Sequence, residues 1–177
     1  MDALDRNWRR LAGRIPAAAE ADAARIVRAF RGDIVLTPPR ASKWGSYRWR
    51  SDLGAKIFLN RDLQPEAMLI TLLHELAHAQ VKAWDGLGCA PHGAEWQKRY
   101  RELLAPFIAL PEVFSPAVAR ALQRQLHKPK ASCGAAPDLL RALRADSDQL
   151  RVEHLPEGAW FRLDNGMEFR KGPKRRT

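Results

Sequence analysis

Residues 65–80 read PEAMLITLLHELAHAQ, and they contain the pentapeptide His74-Glu75-Leu76-Ala77-His78. Pro65 suits the first turn of a helix, and the leucines that follow predict an apolar helix over about residues 65–84. Histidines four residues apart lie about 40° apart around such a helix, so both imidazoles face one way. Glu75 projects from the adjacent position. The two histidines can therefore bind one metal ion together, and the Glu75 carboxylate is close to that ion.

This pentapeptide has a chemical meaning that a buried helix with two incidental histidines would lack. Burying two imidazoles and a carboxylate among leucines is costly unless something satisfies them, and a metal ion would do so. Two neutral imidazoles, a carboxylate base and an open coordination position are typical of zinc peptidases. We therefore expect Glu75 to act as the catalytic base, reaching a zinc-bound water without being a ligand itself.

A third ligand is expected, because a catalytic zinc ion normally takes three from the protein. His92 follows a glycine-rich turn at 85–88 and precedes a second helical segment that begins at about residue 94. Such a turn and return can bring a distant imidazole back to the first helix, and Gly93 permits close backbone approach. The sequence therefore predicts His92 as the third ligand.

Other residues compete with His92 for this role. Glu95 is the first alternative, since some zinc peptidases complete the site with a carboxylate from a following helix. Cys89 is a weaker one, because a thiolate there would suggest a structural site. His127 and His154 are expected at the surface. The chain has two cysteines without a CxxC spacing, so neither a disulfide framework nor a second zinc site is indicated.

The two separated motifs together resemble a known family. His74-Glu75-Leu76-Ala77-His78 followed by His92-Gly93-Ala94-Glu95-Trp96 is similar to the SprT-like metalloprotease domain, the family that includes Spartan. Upstream, KWGS at 43–46 and AKIFLN at 55–60 are similar to the strands before the motif helix in that family and in related minigluzincin-type peptidases. The resemblance covers about residues 15–110.

The resemblance implies an α+β, zincin-like fold, in which a small antiparallel sheet packs on the motif helix. It implies that His74, His78 and His92 bind one catalytic Zn²⁺ ion and that Glu75 is the catalytic base. It further implies an endopeptidase that cleaves DNA-associated or DNA-crosslinked proteins, a role in DNA repair. Many bacterial relatives end in a cysteine zinc ribbon that this chain lacks, so a DNA-directed role needs another source of nucleic-acid affinity.

The charge of the chain also favours nucleic acid as a partner. Thirty Lys and Arg residues against twenty Asp and Glu residues give a net charge of +10 and a pI near 10.3 over 177 residues. A surface of this kind attracts polyanions. No apolar run approaches membrane-spanning length, and the N-terminus lacks a basic and then apolar signal region, so we expect a soluble cytoplasmic protein.

Two basic regions are candidates for nucleic-acid contact. In the first, cations alternate with aromatics on a predicted strand, where aromatics could stack on unpaired bases while cations meet phosphates. The second is a predicted C-terminal hairpin with its basic tail. The candidate residues are Arg40, Lys43, Trp44, Arg48 and Arg50 in the first region, and Arg170, Lys171, Lys174, Arg175 and Arg176 in the second. The alternative for the first region is that Trp44 and Trp49 belong to the core.

Hydrophobic periodicity and turn residues predict the other elements. Helices are expected at 3–14, 16–31, 94–105, 116–126 and 138–145, with strands at 34–36, 42–50 and 55–60. Pro106 and Pro111 are expected to break the chain before the helix at 116–126. Asn165-Gly166 lies between two alternating apolar runs and predicts a C-terminal hairpin. The resulting division is a SprT-like domain at 1–127, a linker at 128–137, and a small helix and hairpin region at 138–177.

Two further functions stay open at this point. One is a zinc peptidase with no connection to nucleic acid, and the other is a non-enzymatic DNA-binding protein with a structural zinc ion. Glu75 argues against the second, because a purely structural site has no use for that carboxylate. If the chain is a peptidase, the strand at 55–60 is the candidate edge for pairing with an extended substrate.

Overall fold

The fold is α+β, as predicted, in a computed structural model that describes residues 3–40, 42–85, 88–126, 137–144, 155–163 and 166–173. Over these residues the helices are α1 (Ala3–Leu11), α2 (Glu20–Ala29), α3 (Pro65–Gln80), α4 (Ala94–Ala109), α5 (Pro116–Leu126) and α6 (Pro137–Leu143). The strands are β1 (Gly32–Thr37), β2 (Gly45–Arg50), β3 (Gly54–Asn60), β4 (Trp160–Arg162) and β5 (Glu168–Arg170).

The three-stranded sheet is mixed, and the prediction of an antiparallel sheet is wrong. β2 and β3 form an antiparallel hairpin, with Gly45 opposite Leu59. β1 lies on the other side of β3 and runs parallel to it, with Ile34 opposite Ile57. The chain leaves β1 and crosses to the far edge before the hairpin begins, so β3 returns between them in the direction of β1.

The strand order β1-β3-β2 also corrects the expected substrate edge. The strand at 55–60 belongs to β3, which is central and paired on both sides. The outer side of β1 is covered by α1, because the Asn7 side chain accepts a hydrogen bond from the Ile34 N–H and donates one to the Gly32 carbonyl. Among the described strands, β2 is paired with β3 alone. The accessible edge is therefore that of β2.

The motif helix α3 lies between the sheet and α4. Every side chain from Ala67 to Ala77 is buried, because the helix has a packed neighbour on more than one side. Its leucines join one core with residues of β3 and α4. Members of that core include Ile57, Leu59, Met68, Leu69, Leu72, Leu73, Leu76, Trp96, Leu104 and Phe107. After Gln80 the chain continues as a wider π-helical turn, Val81–Asp85.

The predicted break at Pro106 is wrong, since α4 continues through this residue to Ala109. A proline inside a helix removes a hydrogen bond and costs about 3 kcal/mol. Phe107 follows it and is 1% exposed. Burial of such a side chain stabilises the fold by roughly 1.5–3 kcal/mol, so packing of the last turn offsets the cost of the proline.

The chain divides into two compact units, Met1–Ala145 and Asp146–Thr177. In the first unit, α6 packs on α5 and places Leu139 in the core. The predicted linker at 128–137 falls almost wholly outside the described residues, and the predicted domain boundaries stay predictions. The second unit contains the β4–β5 hairpin, as the sequence predicted, with Phe161 opposite Phe169. Each helix that the structure describes is too short or too polar to cross a lipid bilayer.

Candidate metal centre

Three imidazoles converge between α3 and the start of α4. His74 and His78 lie one turn apart on α3, and His92 comes from the loop before α4. The Nε2 atom of His92 is 3.0 Å from Nε2 of His78 and 3.2 Å from Nε2 of His74. Two nitrogens on one tetrahedral zinc ion would be roughly 3.3 Å apart, given zinc–nitrogen distances of about 2.0–2.1 Å. The structure thus brings these histidines together at the separation that a shared ion requires.

The three imidazoles are also in the protonation state that binds metal. Burial, helped by the neighbouring His78 and His92, lowers the pKa of His74 to about 3. Burial and the proximity of His92 lower the pKa of His78 to about 4, and burial lowers the pKa of His92. Neutral rings offer lone pairs at pH 7, so a cation can bind without first displacing protons.

A tight turn positions His92. Its backbone has a φ of 59°, a left-handed conformation that a non-glycine residue adopts at a cost. The Gln97 side chain donates a hydrogen bond of 3.1 Å to the His92 carbonyl, and the Gly93 N–H donates one of 2.9 Å to the Ala90 carbonyl. A Cβ atom at Gly93 would lie 3.0 Å from that same carbonyl oxygen, so glycine permits the close approach expected from the sequence.

Trp96 forms the wall of the histidine cluster, a role that the sequence analysis missed. Its ring centroid is 4.7 Å from His74, 5.4 Å from His78 and 4.6 Å from His92. The indole is 1% exposed, and Tyr100 stacks on it at 5.0 Å. Because Trp96 lies on the first turn of α4, directly after the loop that carries His92, the spacing of the second motif could have indicated this contact. The packed indole restricts the orientation of all three imidazoles.

The alternative ligands do not join this cluster. Within the described residues, His74, His78 and His92 form the group of ligand atoms that could hold an ion, all within 4.8 Å of one another. Glu95 is exposed on the first turn of α4, and Cys89 is half-buried. His127 and His154 lie outside the described residues.

The Glu75 side chain lies against strand β2. The side chain is 6% exposed and accepts a hydrogen bond from the Tyr47 backbone N–H. Burial raises the pKa of Glu75 to about 7, against the opposing effects of that hydrogen bond and of the charges on Arg40 and Lys43. A cation bound nearby would favour the carboxylate again. Both protonation states are therefore accessible to this group.

Gly45 is the second residue that the sequence analysis did not include in the site. A Cβ atom at this position would lie 2.8 Å from Glu75 Oε1, 3.0 Å from Glu75 Cγ and 2.6 Å from Thr71 Cγ2. Contacts this short are not tolerated, so a side chain here would displace the carboxylate. Glycine therefore lets β2 approach α3 closely enough for its backbone to hold Glu75.

In the first set of candidate nucleic-acid residues, the arginines already interact with groups of the protein, which limits their contact with nucleic acid. The Arg40 guanidinium donates hydrogen bonds to Asn60 Oδ1 at 2.9 Å and to Ser46 Oγ at 3.3 Å, so it fixes the loop between β1 and β2. Arg50 pairs with Asp52 at 2.8 Å, and Arg48 lies 5.4 Å above the Phe58 ring. Of the remaining candidates in this region, Lys43 is exposed and Trp44 is half-buried.

Trp49 is not the core residue that the alternative interpretation expected. It is 47% exposed, and the Lys82 ammonium lies 4.1 Å from its ring centroid. In the second candidate region, Arg170 donates a hydrogen bond to the Gly158 carbonyl at 3.2 Å and Lys171 donates one to the Leu155 carbonyl. Lys174, Arg175 and Arg176 lie outside the described residues.

Comparison with known proteins gives one match, to a family. Residues 31–113 match the family model of the SprT-like family. The match is consistent with a SprT-like domain over these residues. The searches of curated proteins and of solved structures give no match. Residues 31–113 contain the three-stranded sheet, α3 and the three converging histidines. The family match and the histidine cluster together indicate a metal-dependent enzyme of metalloprotease type.

Proposed function

We propose that this protein is a zinc-dependent endopeptidase with a zincin-like fold, whose ion is held by His74, His78 and His92. The observation that carries the proposal is the convergence of three histidine side chains, with the buried Glu75 carboxylate at the helix position next to His74. Structural zinc sites are normally closed by four protein ligands, whereas catalytic sites use three and keep one position open. The described residues supply three.

The side chains around the histidines fit hydrolysis of a peptide bond. When bound, the zinc ion would act as a Lewis acid that polarises the scissile carbonyl and activates water. Glu75 would take the proton of the attacking water and pass it to the leaving amine. The Tyr47 N–H orients the Glu75 carboxylate, and the buried position keeps bulk water from competing for its proton.

The outer edge of β2 is the proposed binding site for an extended substrate. Peptides often add a strand to an accessible sheet edge, and in the described part of the sheet β2 offers that edge. Gly45 on β2 lies beside Glu75, so a peptide paired there would pass next to the carboxylate. Because such pairing uses main-chain hydrogen bonds, we expect cleavage with weak sequence preference.

We also propose that the substrates are proteins bound or crosslinked to DNA. The net charge of +10 supports this, and a DNA-directed role is what the resemblance to the SprT-like family implies. A peptidase without a nucleic-acid partner is the second candidate, since Arg40 and Arg50 are engaged by protein groups and contribute less to a DNA-binding surface than their charges suggest.

The decisive experiment compares a DNA-binding protein and a non-binding protein as substrates. Each is incubated with zinc-loaded protein in the absence of DNA, with single-stranded DNA and with double-stranded DNA. We expect DNA to accelerate cleavage of the bound substrate alone, and a chelator to stop cleavage until zinc is restored. Equal cleavage of both substrates, with or without DNA, would favour the second candidate. An intact, zinc-containing protein that cleaves neither would leave zinc with a structural role.

Gly45→Ala is expected to reduce cleavage at least tenfold while zinc content stays at the wild-type level. The added Cβ would meet Glu75 and Thr71, and none of its three nearest atoms belongs to a histidine. Overpacking of this kind typically costs about 1–3 kcal/mol, so a modest loss of thermal stability is also expected. Metal analysis, thermal unfolding and cleavage rate are measured on the same preparation.

Gly88→Ala is the matched control for Gly45→Ala. It makes the same chemical change close to the same cluster in sequence, but its Cβ would meet nothing within 4 Å. We expect wild-type cleavage from it. Wild-type cleavage by Gly45→Ala as well would show that β2 does not hold Glu75 in place.

A further inference from the structure

One face of the β4–β5 hairpin presents a tryptophan to solvent. Trp160 is 70% exposed, more than any other large apolar side chain among the described residues. It lies directly opposite Arg170, and strand alternation places Arg162 and Glu168 on the same face. On the other face of the hairpin, the rings of Phe161 and Phe169 stack with centroids 5.8 Å apart, although Phe169 is itself 41% exposed. Trp160 is not part of this stack.

The charges around Trp160 are predominantly positive. Arg162 is paired with Glu168 at 2.6 Å, while the Arg170 guanidinium is held beside the strand by its hydrogen bond to the Gly158 carbonyl. A Cβ atom at Gly158 would be 3.6 Å from Arg170 Nη2, so the guanidinium lies over this glycine. After Glu168, residues 169–177 of the sequence contain five Lys and Arg residues and no acidic residue.

We propose that the Trp160 face of this hairpin binds single-stranded nucleic acid, with a base stacked on the indole and the adjacent phosphate at Arg170. An exposed ring beside a cation is the combination that single strands recognise, because their bases have free π-faces. A duplex hides those faces, and an apolar protein surface would find no complement for the arginines. The site lies outside the SprT-like domain and does not depend on the proposed peptidase activity.

The test is equilibrium binding of a labelled oligothymidine to the full chain at several salt concentrations. We expect Trp160→Ala to weaken binding about tenfold, and Trp160→Phe, which keeps an aromatic face, to retain most of the affinity. Arg170→Gln should weaken binding and lower the slope of log affinity against log salt by about 0.7. Quenching of tryptophan emission by the oligonucleotide should be largely lost in Trp160→Phe.

Trp49→Ala is the matched control, since Trp49 is an exposed tryptophan whose ring is already covered by Lys82. We expect it to bind as the wild type does. Unchanged binding by Trp160→Ala, an equal loss in Trp49→Ala, or better competition by a duplex of the same length would each overturn the proposal. Because no cleavage is measured, failure of the peptidase proposal would leave this result interpretable.

Discussion

Glu75→Gln is expected to retain zinc and to cleave substrate about 10²–10⁴ times more slowly than the wild type, the usual contribution of a general acid–base residue. Glutamine has nearly the same shape and can still accept the hydrogen bond from the Tyr47 N–H through its carbonyl oxygen. It cannot take up a proton from water. The expected loss is therefore one of chemistry, with binding of metal and folding preserved.

Glu95→Gln provides the control for Glu75→Gln. It neutralises another carboxylate close to the site, on an exposed position of α4 outside the histidine cluster. Single-turnover cleavage, zinc content and thermal unfolding are compared for both variants. Rapid cleavage by purified, zinc-loaded Glu75→Gln would remove this residue from its proposed role, whereas slow cleavage by both variants would indicate a general effect of charge.

The local part of the site could be predicted from the sequence because it depends on helix geometry alone. His74 and His78 must face one way on any regular helix, and the adjacent position of Glu75 follows from the same rise and rotation. His92 was a less local prediction, based on a glycine-rich turn and the start of another helix. The structure places its ring 3.0 Å from His78, nitrogen to nitrogen.

The missed features depend on contacts between distant segments. The proximity of Gly45 to Glu75 requires the register of β2 on α3, which no periodicity encodes. The hydrophobic pattern of β1 would be the same for parallel and for antiparallel pairing. The direction of β1 relative to β3 could therefore not be predicted from the residues of β1. The positive charge of Arg40 suggested a contact with nucleic-acid phosphate. In the structure its guanidinium donates hydrogen bonds to Asn60 and Ser46, so Arg40 has a structural role.

His92→Ala is expected to lower the affinity for zinc by more than 100-fold. Removing a residue that merely orients a metal ligand typically costs 10–100-fold, so losing one of three ligands should cost more. Zinc at 100 times its dissociation constant stabilises a native protein by about 2.7 kcal/mol. In a chain of this length that corresponds to roughly 5–10 °C in Tm. We expect the wild type to show this zinc-dependent shift and His92→Ala to show none.

Cys89→Ser and Glu95→Gln test the competing ligand assignments in the same experiment. Both residues flank His92 in sequence, yet neither belongs to the converging group in the described residues. We therefore expect both variants to keep the zinc-dependent shift in Tm and one zinc ion per chain. A Glu95→Gln protein that loses the ion while His92→Ala keeps it would reverse the assignment. Because the apo proteins are compared as well, a variant that is simply unstable would be recognised by its lower Tm without zinc.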